Sequence, residues 1–163
     1  MPAPMLQGFP PVIDDRARVL ILGSFPSALS LAAGQYYANP RNAFWHITGQ
    51  LFGFDATAPY DERLAALQSH RIALWDVLRQ CRRAGSADSA IDPKSLAVNK
   101  FAELFTQYPG ITRVYFNGAK AATLFARLAD RPALDYQRLP STSPAHAVKP
   151  GEKLAAWRVI AQS

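Results

Sequence analysis

Apolar runs alternate with helical patterns along the 163-residue chain. "VLIL" at 19–22 is a continuous apolar run, which is typical of a strand covered on both faces. "RIALWDVL" at 71–78 and "VYF" at 114–116 predict two further strands. A fourth, shorter strand is predicted in "DYQRL" at 135–139. Helical spacing of apolar residues predicts helices within 42–54, 61–70, 96–108, 119–129 and 152–162. This order predicts an α/β fold, a three-layer α/β/α sandwich around a mainly parallel four-stranded sheet.

Composition favours one globular domain over residues 1–163, with 1–15 as a surface lead-in. Hydrophobic residues make up 49% of the chain, which is ample for one core. The longest apolar stretches are about eight residues, too short for a membrane span. The first fifteen residues lack the charged and apolar regions of a secretory signal. A single cysteine, Cys81, excludes an internal disulfide, so a cytoplasmic location is expected.

The net charge of +6 has two interpretations. It serves solubility alone, or it neutralises the phosphates of a nucleic-acid partner. An excess of arginine favours the second interpretation, because guanidinium groups suit phosphate and base contacts. The candidate phosphate contacts are Arg41, Arg82, Arg83 and Lys149. A solvated basic face is the commoner explanation for any single one of them.

Polar, glycine- or proline-bearing segments follow the predicted strands. They are Gly23–Asn42, Trp75–Arg83, Asn117–Gly118 and Leu139–His146. In open parallel sheets, ligands bind beyond the carboxyl ends of the strands. The four segments are therefore expected to share one cleft.

Several common chemistries have no support in the sequence. The turn "GSFPS" at 23–27 is not a phosphate-binding loop, and no Gly-x-Ser-x-Gly elbow occurs. His46, His70 and His146 are far apart and lack the spacing of metal ligands. We predict neither a metal site nor a cofactor.

The first of these segments contains asparagines beside aromatic residues. Asn39 precedes a proline and Asn42 precedes a helix, so a turn former and a helix cap are the simplest interpretations. The flanking aromatic residues are Tyr36, Tyr37, Phe44 and Trp45. A site for a planar heterocycle needs both components, stacking for the ring and directional hydrogen bonds for its edge.

Two separated motifs resemble a known family. "GSFPSALSLAAGQYYANPRNAFW" at 23–45 and "LPSTSPA" at 139–145 are similar to motifs of the uracil-DNA glycosylase superfamily, most closely its DNA-deoxyinosine (hypoxanthine) branch. The resemblance implies the α/β/α fold and hydrolysis of the N-glycosidic bond of a deaminated base, most closely hypoxanthine, to leave an abasic site. Two alternatives stay open: a member that prefers uracil or xanthine, and a silent DNA- or nucleotide-binding domain.

The chain departs from the family pattern at two positions. Many members carry an acidic residue or asparagine where Phe25 stands, and a histidine where Ser141 stands. The resemblance therefore implies that Asn39, or failing that Asn42, orients the attacking water. Ser141 is then a candidate for stabilising the charge on the leaving base. With no lysine in either motif, hydrolysis without strand cleavage is expected.

The resemblance also implies contacts to the base and to DNA. Gly23, Ser24 and Phe25 would shape a backbone pocket, Phe44 would stack on the base, and Tyr36 or Tyr37 would form another wall. Asp76 and Asn117 are candidate readers of the base edge, although each also fits a simple turn. The expected partner is damaged DNA with its base flipped out, bound by a monomer. The expected DNA contacts are Arg41, Arg82, Arg83, Ser143, His146 and Lys149.

Overall fold

A computed structural model describes residues 3–129, 132–146 and 148–162 of the chain. The described strands are β1 (Met5–Gln7), β2 (Val19–Gly23), β3 (Ile72–Asp76), β4 (Leu78–Arg82), β5 (Ala97–Val98), β6 (Arg113–Asn117) and β7 (Asp135–Leu139). The α-helices are α1 (Ala28–Ala33), α2 (Phe44–Phe52), α3 (Tyr60–Ser69), α4 (Phe101–Gln107), α5 (Ala119–Leu128) and α6 (Pro150–Trp157). Short 3₁₀ turns cover Asp88–Ala90 and Arg158–Gln162.

The central sheet has four parallel strands in the order β3-β2-β6-β7. Every residue of β2 and β3 is buried, as their continuous apolar runs predict. The register pairs Gly23 with Asp76 and Asn117 with Leu139, so all four strands end at one edge. The predicted fold class is confirmed.

Helices cover both faces of this sheet. Alternate strand residues such as Leu20, Leu22 and Val114 pack with α4 and α5 in one core cluster. Their neighbours, such as Ile21 and Leu74, pack with α2, α3 and α6 in a second cluster. The period-two alternation of side chains across a strand therefore divides the core into two layers.

Three elements differ from the predicted pattern. The predicted polar loop after Leu78 contains β4, which joins β1 and β5 in a small antiparallel sheet. Gly23–Asn42, predicted as a loop, contains the short helix α1. The predicted helix 96–108 begins only at Phe101, because Ala97–Val98 pair with β4. These elements are short. The strands among them form by pairing with residues distant in the sequence, which local periodicity does not predict.

The lead-in is held to the body of the protein at several points. Residues 1 and 2 lie outside the described residues, but β1 pairs with β4 and Val12 forms a bridge with Leu74. The indole N–H of Trp75 donates to the Phe9 carbonyl over 3.0 Å. Among the described residues, no helix has the length and apolar character needed to cross a membrane.

Candidate active site at the strand ends

Gly23 lets two polar side chains approach the end of β2. A methyl group at Gly23 would lie 2.6 Å from Asp76 Oδ1 and 3.3 Å from the Tyr37 hydroxyl oxygen. Contacts below about 3 Å do not occur for real Cβ atoms, so another residue here would displace one of these groups. Glycine is required by this close approach.

Tyr37 covers Phe44 in a stacked pair. The ring centroids are 4.0 Å apart and the planes differ by 14°. Phe44 has no exposed surface because Tyr37 lies over it, so direct stacking of a base on Phe44 stays a prediction. Tyr37 is partly exposed, although its hydroxyl is buried, and its backbone is left-handed with φ 56°. The ring in front of Phe44 is thus Tyr37.

Two other predicted pocket residues belong to the core. Tyr36 is 4% exposed, and its hydroxyl donates to the Pro10 carbonyl over 2.8 Å. Burial raises the pKa of this hydroxyl well above its ordinary value. The Phe25 side chain is also buried in a core cluster. Both rings are enclosed by the protein, so Tyr36 offers no free ring face here, and Phe25 borders the site through its backbone. The backbone pocket at Gly23–Phe25 and a wall formed by Tyr36 stay predictions.

Asp76 ends β3 as a buried carboxyl group. Its Oδ2 has no hydrogen-bond partner among the described residues. The pKa of Asp76 is raised to about 7, mainly by burial and to a smaller extent by the Asp88 charge, while Arg83 opposes the rise. The Asn99 amide donates to the Asp76 backbone carbonyl over 2.7 Å and fixes the end of the strand. Asp76 is therefore a proton-holding group close to neutral pH, rather than a surface turn carboxylate.

Asn39 and Asn42 make local turn contacts. Asn39 Oδ1 accepts from the Arg41 N–H over 3.0 Å, and Asn42 Oδ1 accepts from the Phe44 N–H over 2.9 Å. Asn42 thus closes a local turn ahead of α2, whose N-cap is Ala43 with no side-chain cap, so the predicted helix cap at Asn42 is wrong. Each amide oxygen keeps a second lone pair. Both side chains are partly exposed, and both residues lie between Tyr37 and Phe44 in the sequence.

The second motif is fixed to the end of β6. The Asn117 amide donates to Thr142 Oγ1 and accepts from the Thr142 N–H, both over 2.9 Å. The Thr142 carbonyl accepts from the Ala43 N–H over 3.0 Å, which joins the two motifs. Asn117 is therefore first of all an anchor for this loop.

Ser141 packs against the start of α5. A methyl group at Gly118, whose φ is 100°, would meet Ser141 Cβ at 3.0 Å. Ser141 Oγ also accepts from the Ser143 N–H over 3.1 Å. Close packing against a glycine thus sets the position of Ser141.

Helix α6 holds the second motif from beneath. The Lys153 ammonium donates to the Ser143 carbonyl over 3.1 Å, and the Trp157 indole donates to the Pro140 carbonyl over 2.8 Å. Both residues are buried and lie four apart on one helix face. Sequence reasoning missed them, although a lysine at core spacing in an amphipathic helix was a usable signal.

The predicted cations divide into free and engaged groups. Arg41, His146 and Lys149 are exposed on or beside the two motifs. Arg82 donates to the Ala3 carbonyl over 2.9 Å and is partly buried. Arg83 is only 3% exposed and donates to the Gly85 and Pro26 carbonyls, so its contact with phosphate stays a prediction without support from this arrangement.

The chain matches a known protein family over most of its length. Residues 10–161 match the model of the uracil DNA glycosylase superfamily, and they include both motifs. The chain belongs to that superfamily. The family predicted from the two motifs is confirmed.

Two relatives and one solved structure illustrate how closely the superfamily matches this chain. A hypoxanthine DNA glycosylase of Methanosarcina barkeri is 42% identical over 116 residues, 71% of this chain and 72% of the relative. One of Methanosarcina acetivorans is 35% identical over 155 residues, 94% of this chain and 96% of the relative. The solution NMR structure of a candidate uracil DNA glycosylase from Methanosarcina acetivorans has a TM-score of 0.78 and 35% identity. It covers 96% of this chain and 98% of that one.

The superfamily turn at Gly23–Pro26 has a partner loop that sequence reasoning missed. Residues 83–91 fold over this turn, and Ser24 Oγ donates to Asp88 Oδ1 over 2.7 Å. The Ser86 hydroxyl accepts from the Ala28 N–H over 2.8 Å. No local sequence pattern predicts these contacts, because they join residues about sixty positions apart.

Metal chemistry has no donor set in the described part of the chain. Residues 3–129, 132–146 and 148–162 contain no group of three or more histidine, cysteine, aspartate or glutamate side chains able to hold a metal ion. The polar atoms at the strand ends are instead amide, carboxyl and hydroxyl groups. These are the groups that recognise the edge of a base.

Proposed function

We propose that this protein is a DNA glycosylase that removes hypoxanthine from deoxyinosine and leaves an abasic site. The observation that carries this proposal is the match to two hypoxanthine DNA glycosylases, one of them along 94% of this chain. The site supports it with a partly exposed aromatic ring, amide groups and an unpartnered carboxyl oxygen at one sheet edge.

Tyr37 is the ring on which the flipped base stacks in this proposal. It replaces Phe44, which lies behind it and is fully buried. Stacking of a base on an aromatic side chain is worth roughly 1–3 kcal/mol. Flipping costs a few kcal/mol and is easiest for a weakly paired base. Stacking thus offsets much of the cost of extrusion.

Asp76 is the reader of the base edge in this proposal. Hypoxanthine presents a carbonyl oxygen beside a ring N–H, whereas adenine presents an amino group beside an unprotonated ring nitrogen. A neutral carboxyl group donates through its O–H and accepts through its C=O, so it complements the hypoxanthine edge. The pKa of about 7 keeps a large share of Asp76 protonated near neutral pH. Asn117 is a second candidate reader, through the N–H and the lone pair that Thr142 leaves free.

Asn39 orients the attacking water. An amide cannot serve as a general base near neutral pH, so its contribution is to hold the water through the second lone pair of Oδ1. The Arg41 N–H fixes that oxygen through the other lone pair. Negative charge on the departing purine is stabilised by backbone N–H groups near Ser24–Phe25 or by Ser141.

Arg41 and Lys149 are the proposed phosphate contacts. Both are exposed, Arg41 within the first motif and Lys149 at the start of α6 just after the second. Ser143 and His146 lie on the second motif and would approach the minor groove. We propose that the protein acts as a monomer in the cytoplasm on duplex or single-stranded DNA.

The test uses oligonucleotides that contain inosine, uracil or xanthine, followed by alkali. Excision of hypoxanthine yields an abasic site that alkali cleaves. Asn39→Ala is expected to slow excision by at least about 100-fold, the size of losing one positioned polar group. Asn42→Ala serves as the matched comparison on the same loop. Equal excision by wild type and Asn39→Ala would remove Asn39 from the mechanism.

Uracil is the second candidate substrate. The structural neighbour from Methanosarcina acetivorans is described as a candidate uracil DNA glycosylase. Faster release of uracil than of hypoxanthine in the same assay would select this alternative. Absence of abasic sites with every base would instead indicate a silent DNA-binding domain, and nicking without alkali would contradict simple hydrolysis.

A further inference from the structure

A carboxylate reaches the Gly23–Pro26 turn from a distant part of the chain. Asp88 lies on the 3₁₀ turn Asp88–Ala90, and its Oδ1 accepts from Ser24 Oγ over 2.7 Å. Ser24 directly follows Gly23, which adjoins Asp76 and the Tyr37 hydroxyl. The acidic side chain therefore stands beside the strand-end site, although 64 residues separate it from Ser24.

The loop that carries Asp88 is fixed at two further points. The Arg83 guanidinium donates to the Pro26 carbonyl and to the Gly85 carbonyl, each over 2.7 Å, and lies over the Phe25 ring. Ser86 Oγ accepts from the Ala28 N–H at the start of α1. The position of Asp88 is thus built into the fold.

The Asp88 charge is not cancelled by a contact ion pair. Among the described residues, the salt bridges within 4.0 Å are Arg16–Asp14 and Arg113–Asp135. Arg83 is occupied by backbone carbonyls, and its Nη1 is buried without a partner. The negative charge of Asp88 also reaches Asp76, whose buried Oδ2 is unpartnered. Asp88 is itself exposed, and its charge contributes to the raised pKa of Asp76.

We propose that Asp88 supplies the fixed negative charge that stabilises the sugar cation during base release. This inference rests on the glycosylase function proposed above. The C1′–N9 bond breaks with both electrons passing to the purine, and the water oxygen then bonds to C1′. One water proton passes to the purine nitrogen and the other stays on the new hydroxyl. In this scheme, Asp88 forms no bond to the sugar and acts only by its charge.

Three observations favour Asp88 for this task. Bond cleavage in a glycoside builds positive charge on the sugar, and a carboxylate lowers the energy of that state. Asp76 is a neutral acid for part of the population near pH 7, so it serves poorly as a fixed anion. The Phe25 side chain is apolar and lies in the core. Asp88 is then the carboxylate that remains beside the turn.

The decisive variant is Asp88→Asn. Its side-chain oxygen still accepts from Ser24, so the loop stays anchored while the charge disappears. We expect single-turnover excision of hypoxanthine at saturating protein to slow by about 100-fold. Affinity for the DNA should stay the same or increase, because a negative charge near phosphates is removed. Asp88→Glu, which keeps the charge, should recover part of the rate.

The pH dependence of the excision rate separates the two roles of Asp88, because a purely structural role in holding the loop would not shift it. The charged or titratable groups around Asp76 are Arg83, Asp88 and the hydroxyls of Tyr36 and Tyr37. Removing the Asp88 charge lowers the pKa of Asp76, so the alkaline limb of the profile should move to lower pH. The control Ser86→Ala loosens the same loop without changing its charge, and it should leave both the limb and most of the rate in place.

The outcomes separate the inference from the proposed function. If wild type excises hypoxanthine and Asp88→Asn matches it in rate and pH profile, the role of Asp88 is refuted alone. Equal losses in Ser86→Ala and Asp88→Asn would assign Asp88 to loop anchoring, which also refutes it. If wild type excises no base at all, the proposed function fails and the inference fails with it.

Discussion

The two halves of the strand-end edge satisfy their polar groups very differently. At β2 and β3, three buried atoms lack hydrogen-bond partners: Tyr37 Oη, Asp76 Oδ2 and Arg83 Nη1. These are all such side-chain atoms among the described residues. At β6 and β7, Thr142 is paired through Asn117, and the loop carbonyls accept from Lys153 and Trp157.

We infer that the half at β6 and β7 is a structural support and that the half at β2 and β3 is the reactive site. A buried polar group without a partner costs about 1–3 kcal/mol, so a protein retains it where a ligand or a reaction uses it. Paired groups hold the second motif in one position and leave little unsatisfied. The half that contains Gly23 and Asp76 is therefore the half where we expect the base.

The largest expected effect concerns the pH dependence of stability at Asp76. Its pKa is about 7 in the folded protein and 3.8 in the reference state, so the folded state holds the proton more tightly. The stability from this proton is present below about pH 4 and is lost as the pH rises through about 7. We expect the wild type to lose about 4 kcal/mol relative to Asp76→Asn between those limits, since each pKa unit is worth about 1.4 kcal/mol.

Urea unfolding of both proteins at several pH values measures this effect. Asp76→Asn serves as its own control, because the amide does not titrate and all other groups are shared. Parallel stability curves for the two proteins would show that Asp76 ionises freely in the folded state. That result would also remove the neutral acid from the proposed recognition of hypoxanthine.

The next effect concerns the paired half. Asn117→Ala removes two hydrogen bonds of 2.9 Å and leaves the buried Thr142 N–H and hydroxyl without partners. We expect a loss of about 2–3 kcal/mol in the free energy of unfolding. Thr142→Val removes only the hydroxyl bond and should cost about 1 kcal/mol. Similar losses in the two variants would contradict the idea that the backbone bond from Thr142 fixes the loop.

The contrast also explains what could be predicted from the sequence. Apolar runs located three of the four parallel strands, and their ends located Gly23, Asp76 and Asn117. Periodicity does not report which of two nearby aromatic rings lies in front, so Phe44 was assigned the place that Tyr37 occupies. That order depends on the left-handed backbone at Tyr37, which no residue type specifies.

Charge gave the weakest prediction. Arg83 and Asp88 follow one another in a polar stretch that resembles a solvated loop. Arg83 is held by the Pro26 carbonyl and Asp88 by the Ser24 hydroxyl, and both partners lie about sixty residues earlier in the sequence. Contacts between residues far apart in the sequence decide whether an arginine binds phosphate or backbone carbonyls. Amino-acid composition does not predict such contacts.

The smallest expected effect has the opposite sign. Tyr37→Phe removes a buried hydroxyl that forms no hydrogen bond of standard geometry, although the Asn117 side chain interacts with it. The change keeps the ring stacked on Phe44. Burial raises the pKa of this hydroxyl above its ordinary value, the Asp76 charge adds to the rise, and Asn117 opposes it, so the group stays neutral. We expect a gain of about 1 kcal/mol in the free energy of unfolding, the lower end of the cost of an unsatisfied group. Excision of hypoxanthine should become slower if the hydroxyl serves the base, and the same urea and excision assays measure both. A variant that is less stable than wild type would show that the hydroxyl has a partner, and the contrast between the two halves would then be smaller than the geometry indicates.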